Sequence, residues 1–328
     1  MSLRRFLVFV LVVAVELGAI GYFAISYFVY DELSNAEAHC GGRFGLSAPD
    51  DFSIEGIATA PYLMPEYEEV RFPSRDEGIT ISGWFVPVLP PDVGRAVEAP
   101  TVIVVHGLSS CKREPLNLLI AGMLHRNGFD VLLIDLRDHG ESTIEDGRYA
   151  GGTEEYRDAL GAWDWLVNVP GAKPARIGLL GTSLGAATVL IAAGEEPSVA
   201  AVWEDSSYAE IDVAIRAELP RNGYPTILAP GGVLVARLVS GDDLTRPSPA
   251  GAVAKLNGRP IFITHGEADA RLSVQYARDL AAIVRANGDS VEPWIVPGAG
   301  PVDAARLHPG EYERRLAGFF GAALGRAP

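Results

Sequence analysis

The residues in this sequence best placed to do chemistry are five in a row, Gly181-Thr182-Ser183-Leu184-Gly185. They lie between a short apolar run and an alanine-rich stretch, so they read as a strand turning sharply into a helix. Such a turn is tight, and side chains at the two flanking positions would clash, which accounts for a glycine at each. The serine hydroxyl is then exposed above the helix N-terminus, where developing negative charge is favoured. The chemistry this suits is nucleophilic attack on a carbonyl, with two backbone N–H groups holding the oxyanion. Leu184, next after the serine, supplies one donor. The second is assigned to Leu108, in His106-Gly107-Leu108 directly after the apolar run Thr101–Val105. His106 itself reads as a residue that packs this turn.

Four segments in order carry a resemblance. They are His106-Gly107, Asp135-Leu136-Arg137-Asp138-His139-Gly140-Glu141-Ser142, the Gly181–Gly185 turn, and His265-Gly266-Glu267-Ala268-Asp269. Together they resemble the α/β-hydrolases, in the serine hydrolase group that holds esterases and prolyl-oligopeptidase-like or aminopeptidase-like members. The likeness runs from about residue 66 to the C-terminus, roughly four-fifths of the chain. It implies Ser183 as nucleophile and Asp269 as the acid that orients a histidine. Independently, Asp269 ends a short turn after Ile261–Thr264, which brings it to the sheet edge that holds Ser183; helix capping is the alternative role.

The resemblance also implies a histidine after the last strand, in a sequence like Gly-Ala-Gly-His-Val-Asp. Here the chain reads Gly298-Ala299-Gly300-Pro301-Val302-Asp303. Proline cannot accept a proton from Ser183 or return one to a leaving group. His308, in His308-Pro309-Gly310, is the one histidine left in the C-terminal segment. It is carried as the candidate base, against a plain capping role before the last helix and against a site without a base. His139 and His265 read as parts of structural turns. Asp138 with His139 lacks a third ligand at plausible spacing, so neither metal nor cofactor is expected.

The elements that must position these residues follow from hydrophobic periodicity. Glu69–Pro73 and Ile79–Val88 alternate and predict two antiparallel strands, the second ended by Pro87, Pro90 and Pro91. Continuous branched runs at Thr101–Val105, Val131–Asp135, Ile177–Leu180, Ala200–Trp203, Ile261–Thr264 and Val291–Val296 predict a parallel sheet buried on both faces. Helical stretches at about 114–127, 154–168, 184–195, 273–287 and 310–324 alternate with them, which predicts a doubly wound α/β sheet. Residues 209–250, rich in proline and glycine, predict a small helical lid. Trp163 and Trp165 should pack on the sheet, and Asp205, Asp242 and Asp243 read as solvated loop acids.

Before the hydrolase-like body (66–328) come two other segments. Phe6 to Tyr30 carries a single ionisable side chain, Glu16, and at 1.5 Å rise per residue is long enough to cross a bilayer. Arg4 and Arg5 precede it and Asp31, Glu32 and Glu37 follow, which predicts a cytoplasmic N-terminus and an outward-facing body. Tyr22, Phe23, Tyr27, Phe28 and Tyr30 suit an interfacial belt. The competing reading is a signal peptide cleaved near Ala36-Glu37-Ala38, for which the apolar region is long. Residues 31–65, with Gly41-Gly42 and several prolines, read as a tether. Of the net charge of −15, the first 30 residues contribute two bases and one acid, leaving −16 outside, which argues against a nucleic-acid partner. Cys40 and Cys111 would face an oxidising compartment, where a disulfide and two free thiols are both open.

The expected function is a membrane-anchored serine hydrolase working through an acyl-enzyme on Ser183, impaired by Pro301. An ester is preferred to a peptide because no propeller domain or acidic amine-binding motif is evident. The rival reading is a hydrolase-fold binding or scaffold protein without catalysis.

Overall fold

The apolar runs assemble into a single eight-stranded sheet in the order β1-β2-β4-β3-β5-β6-β7-β8. The strands are β1 (Glu68–Pro73), β2 (Thr80–Val86), β3 (Thr101–Val105), β4 (Asp130–Ile134), β5 (Ile177–Thr182), β6 (Ala201–Asp205), β7 (Ile261–Gly266) and β8 (Trp294–Val296). β1 and β2 pair antiparallel, and β2 meets β4 antiparallel; from β4 to β8 every pairing is parallel. This computed structural model describes residues 2–36, 40, 45–88, 99–168 and 172–325. Glu37 and Ala38 of the cleavage-like site, His39, Gly41-Gly42, Pro90 and Pro91 lie outside the described residues.

Every residue of β3, β5 and β6 is buried, as a parallel sheet covered on both faces requires. Alternate residues divide between two cores. Ile103 and Val105 join α3 (Tyr156–Asn168), α4 (Leu184–Glu195) and α8 (Gln275–Ala286) on one face. Val102 and Val104 join α2 (Pro115–Arg126) and α10 (Pro309–Ala323) on the other. Trp163 is buried on the face of α3 as expected, and Trp165 stacks on Phe72 at 5.7 Å.

The predicted lid is helical: α5 (Ile211–Glu218), two short turns, then α6 (Ala229–Val239). A short α7 (Pro249–Val253) returns the chain to α4, where Ala252 packs on Gly194. Between the last strand and α10 lies a single-turn α9 (Ala304–Leu307).

The N-terminal helix α1 covers Leu3–Leu33 and is long and apolar enough to cross a membrane. Its far end departs from the expected belt. Phe23, Tyr27 and Phe28 are exposed, but Val29 and Tyr30 are buried against the body. Residues 45–65 are not a free tether either. Phe52, Ile54, Tyr62 and Met64 are buried in the core beside α2, and the Tyr62 carbonyl occupies the space a Cβ on Gly122 would need. Their apolar residues outweigh their prolines: burial against α2 holds a stretch whose one regular element is the single helical turn Ala60–Tyr62. A Cys40–Cys111 disulfide, with Cα atoms 5.3 Å apart, ties the chain ahead of it to the loop after β3.

Candidate active site

The loops after β3, β5, β6, β7 and β8 leave the same edge of the sheet, and the predicted site residues are on them. Ser183 has φ 53° and ψ −117°, a conformation that costs of order 1–3 kcal/mol for a side chain other than glycine. The flanking glycines have a steric cause. A Cβ on Gly181 would lie 2.1 Å from the Gly185 carbonyl oxygen, and one on Gly185 would lie 2.3 Å from that of Val105. The Ser183 N–H donates to the Asp205 carbonyl at 2.8 Å, which pins the turn to β6. Ser109, Ser206 and Val302 also have positive φ, so four strained residues gather in the loops of this one edge.

Among the described residues, neither the Leu108 nor the Leu184 N–H donates to a backbone carbonyl. Both residues border an apolar cavity of about 130 Å³ that Ser183 also lines. The approach to Ser183 is close, since a Cβ on Gly107 would lie 3.2 Å from the Ser183 Cβ. A second, more polar cavity of about 220 Å³ contains Ser183, Asp269 and Pro301 together.

Asp269 is held in place by two backbone N–H groups. Its Oδ1 accepts the Arg271 and Leu272 N–H groups, each at 2.8 Å. Its Oδ2 is buried without a hydrogen-bond partner. The nearest ring is His265, whose Nε2 is 3.6 Å from Oδ2 but donates instead to the Leu272 carbonyl at 2.9 Å. Burial pushes the His265 pKa down, so the ring is neutral and adds no ion pair. Asp269 thus lines a cavity in which no described histidine takes part, with its Oδ2 buried and unpartnered.

The other described histidines lie away from Ser183 or are held in turns, and His125 on α2 bonds the Pro87 carbonyl at 3.1 Å. His106 is buried, its Nδ1 bonded to the Gly107 carbonyl at 2.7 Å and its Nε2 accepting from the Leu136 N–H at 3.0 Å. Burial drives its pKa well below the usual value. His139 is buried against it and bonds the Arg137 carbonyl through Nδ1 at 2.8 Å. His308 is exposed between α9 and α10, its N–H donating to Ala304 and its carbonyl accepting from Tyr312. It lines neither cavity, so the structure does not bring it to Ser183. The reason is the single turn of α9, which uses up residues 304–307 and leaves His308 capping α10.

The motif around Asp135–Ser142 is a structural brace. Asp138 Oδ1 accepts the Glu145, Asp146 and Gly147 N–H groups. Lys112 is fully buried and bonds Asp135 at 2.6 Å and Glu141 at 2.8 Å. Arg137 pairs with the buried Asp158 at 2.8 Å. Two expected loop acids are corrected. Asp205 is buried because it closes β6 rather than opening a loop, and Asp242 is buried although it lies in the loop after α6. Asp205 accepts from the Ser206 and Tyr312 hydroxyls, and burial pushes its pKa up to about 7.

The structure also brings in residues that sequence reasoning missed. Val29, Tyr30 and Leu33 of α1 form one wall of the apolar cavity, facing Leu219 and Leu228 of the lid. Their apolar character was visible, but a membrane-spanning run shows the same signal.

Comparison with known proteins agrees with this fold. Residues 100–244 match the family of the alpha/beta hydrolase fold. The uncharacterized protein YfhR of Salmonella typhi is 26% identical over 73% of this chain and 76% of its own length. The thiohydrolase aneE of Aspergillus aculeatus is 28% identical over 56% of this chain and 54% of its own. Among solved structures, the Pyrococcus furiosus esterase Pf2001 superposes with a TM-score of 0.64 at 20% identity, covering 84% of this chain and 99% of the esterase. The acylaminoacyl peptidase of Pyrococcus horikoshii gives a TM-score of 0.61 at 17% identity, over 80% of this chain and 42% of the peptidase. The central segment is thus similar in sequence to the α/β-hydrolases, and most of the chain shares their fold.

Proposed function

We propose that the chain is a membrane-anchored serine hydrolase of low turnover, acting on an ester through an acyl-enzyme at Ser183. The observation that carries this is the strained Ser183 turn, set in one cavity with the pinned carboxylate of Asp269. Ser183 Oγ attacks the ester carbonyl carbon and its proton passes to water, while the Leu108 and Leu184 N–H groups hold the oxyanion. The C–O bond to the alcohol then breaks and the alkoxide takes a proton from water. A second water cleaves the acyl-serine and restores the hydroxyl. Without a base the site keeps the oxyanion hole and binding, a combination that supplies ~10³–10⁴-fold over water in serine hydrolases lacking a triad member. The Cys40–Cys111 disulfide supports an oxidising, extracytoplasmic setting for the body, with α1 as anchor.

A second reading is favoured by one observation: Pro301 lines the cavity and no described histidine does. On that reading the chain binds acyl compounds without cleaving them. Labelling with a short alkyl fluorophosphonate separates the two. Hydrolase chemistry requires labelling of the full chain that disappears in Ser183→Ala. Folded protein that stays unlabelled selects the binding role.

A further inference from the structure

The wall that α1 contributes to the apolar cavity has a consequence for the substrate. The cavity runs from Ser183 to the foot of a helix whose residues up to Phe28 are largely exposed and apolar. That foot is clamped on both sides. Tyr30 bonds Ser240 of the lid at 2.8 Å, while Arg148 of the body bonds Ser34 at 2.9 Å and pairs with Asp31. Lid helix α6 packs tightly along α1, since a Cβ on Gly231 would fall 2.1 Å from Ser26 Oγ. The lid also shows apolar side chains to the outside beside α1: Ile227 is 70% exposed, Leu238 72% and Val239 53%. Such side chains continue the lipid-facing surface of α1 onto the lid.

We infer that the apolar cavity takes the hydrocarbon tail of an acyl ester resident in the bilayer, with the lid surface of Ile227, Leu238 and Val239 seated in the lipid. This rests on the hydrolase reading only for the placement of the ester carbonyl at Ser183. Size bounds the tail. An apolar cavity of about 150 Å³ holds one benzene, so 130 Å³ accommodates a hydrocarbon segment of similar bulk next to the carbonyl.

The test uses the full chain in vesicles of phosphatidylcholine and phosphatidylglycerol. The probe is a phospholipid with a diazirine about six carbons from one ester carbonyl, a reach set by the benzene-sized cavity. Gly232 lines the cavity, and a Cβ there meets nothing within 4 Å, so Gly232→Phe fills the space without a backbone clash. Cross-links at Leu219 and Leu228 are expected, falling about tenfold in Gly232→Phe, which corresponds to about 1.4 kcal/mol of lost occupancy. Leu238→Glu should lower them with probe in vesicles and leave them intact with probe in detergent micelles. Cross-links confined to residues 6–28, or unchanged by Gly232→Phe, overturn the inference. Fluorophosphonate labelling of Ser183 is scored separately: its absence removes the hydrolase reading, while the cross-links still decide whether a lipid tail occupies the cavity.

Discussion

Replacing Pro301 by histidine tests whether position 301 is that of the base. Pro301 is exposed to the cavity that Ser183 and Asp269 share, so the new ring meets space rather than core. The loop around it is pinned, because Ala299 accepts the Ala268 N–H at 2.9 Å and its carbonyl fills the room beside Gly266. The orphan Asp269 Oδ2 is the partner such a ring needs, and leaving an oxygen of this kind unsatisfied costs about 1–3 kcal/mol. An Nδ1–H bonded there selects the tautomer with Nε2 free to take the Ser183 proton. General acid–base catalysis is worth about 10²–10⁴-fold, which is about 3–5 kcal/mol of barrier. Loss of proline rigidity costs about 0.4–1 kcal/mol of stability, less than the gain from satisfying Oδ2. The assay is kcat/KM for p-nitrophenyl butyrate from pH 5 to 9, for Pro301→His, Pro301→Ala and Pro301→His with Asp269→Asn. The base must be neutral to work, so the gain is present above the histidine pKa and fades as pH falls through it. Pro301→Ala should gain nothing, and Asp269→Asn should remove most of the histidine's gain. A folded Pro301→His with no increase, or an increase that survives Asp269→Asn, refutes the assignment of position 301 to the base.

Three other perturbations follow from the geometry. His308→Ala should leave Ser183 labelling and kcat/KM within about twofold, since His308 is exposed and lines neither cavity; a loss of a decade, about 1.4 kcal/mol of barrier, would place it in the mechanism. Lys112→Met strands the buried Asp135 carboxylate and should cost about 3–5 kcal/mol in urea unfolding, with a loss under about 1 kcal/mol contradicting the brace. Asp205 keeps its proton in the fold up to about pH 7, whereas the unfolded chain releases it near 3.9, so parent stability falls as pH rises between those values. Asp205→Asn carries no such proton. Its stability relative to the parent should rise across that window, by at most about 4 kcal/mol, and stay level above it; a difference that does not change with pH removes the buried-acid account.

Much of the fold and of the candidate nucleophile was legible in the sequence because both depend on local rules. Period-two and continuous apolar runs placed all eight strands to within a few residues, since burial on one or two faces dictates those patterns. The Gly181–Gly185 turn could be read because its glycines answer to contacts within the turn and with the strand beside it. The same local reading showed that Pro301 cannot serve as a base, whatever surrounds it. Other matters depended on long-range packing. Residues 31–65 read as a tether from their prolines, yet Phe52, Ile54, Tyr62 and Met64 are buried in the core. Asp205 read as a loop acid until strand pairing placed it inside. His308 stayed a candidate until α9 showed where its side chain is carried. The end of α1 is the clearest case. Val29, Tyr30 and Leu33 satisfy the same apolar requirement whether they face lipid or a cavity, because the hydrophobic effect has no direction; only tertiary packing against the lid decided which they do.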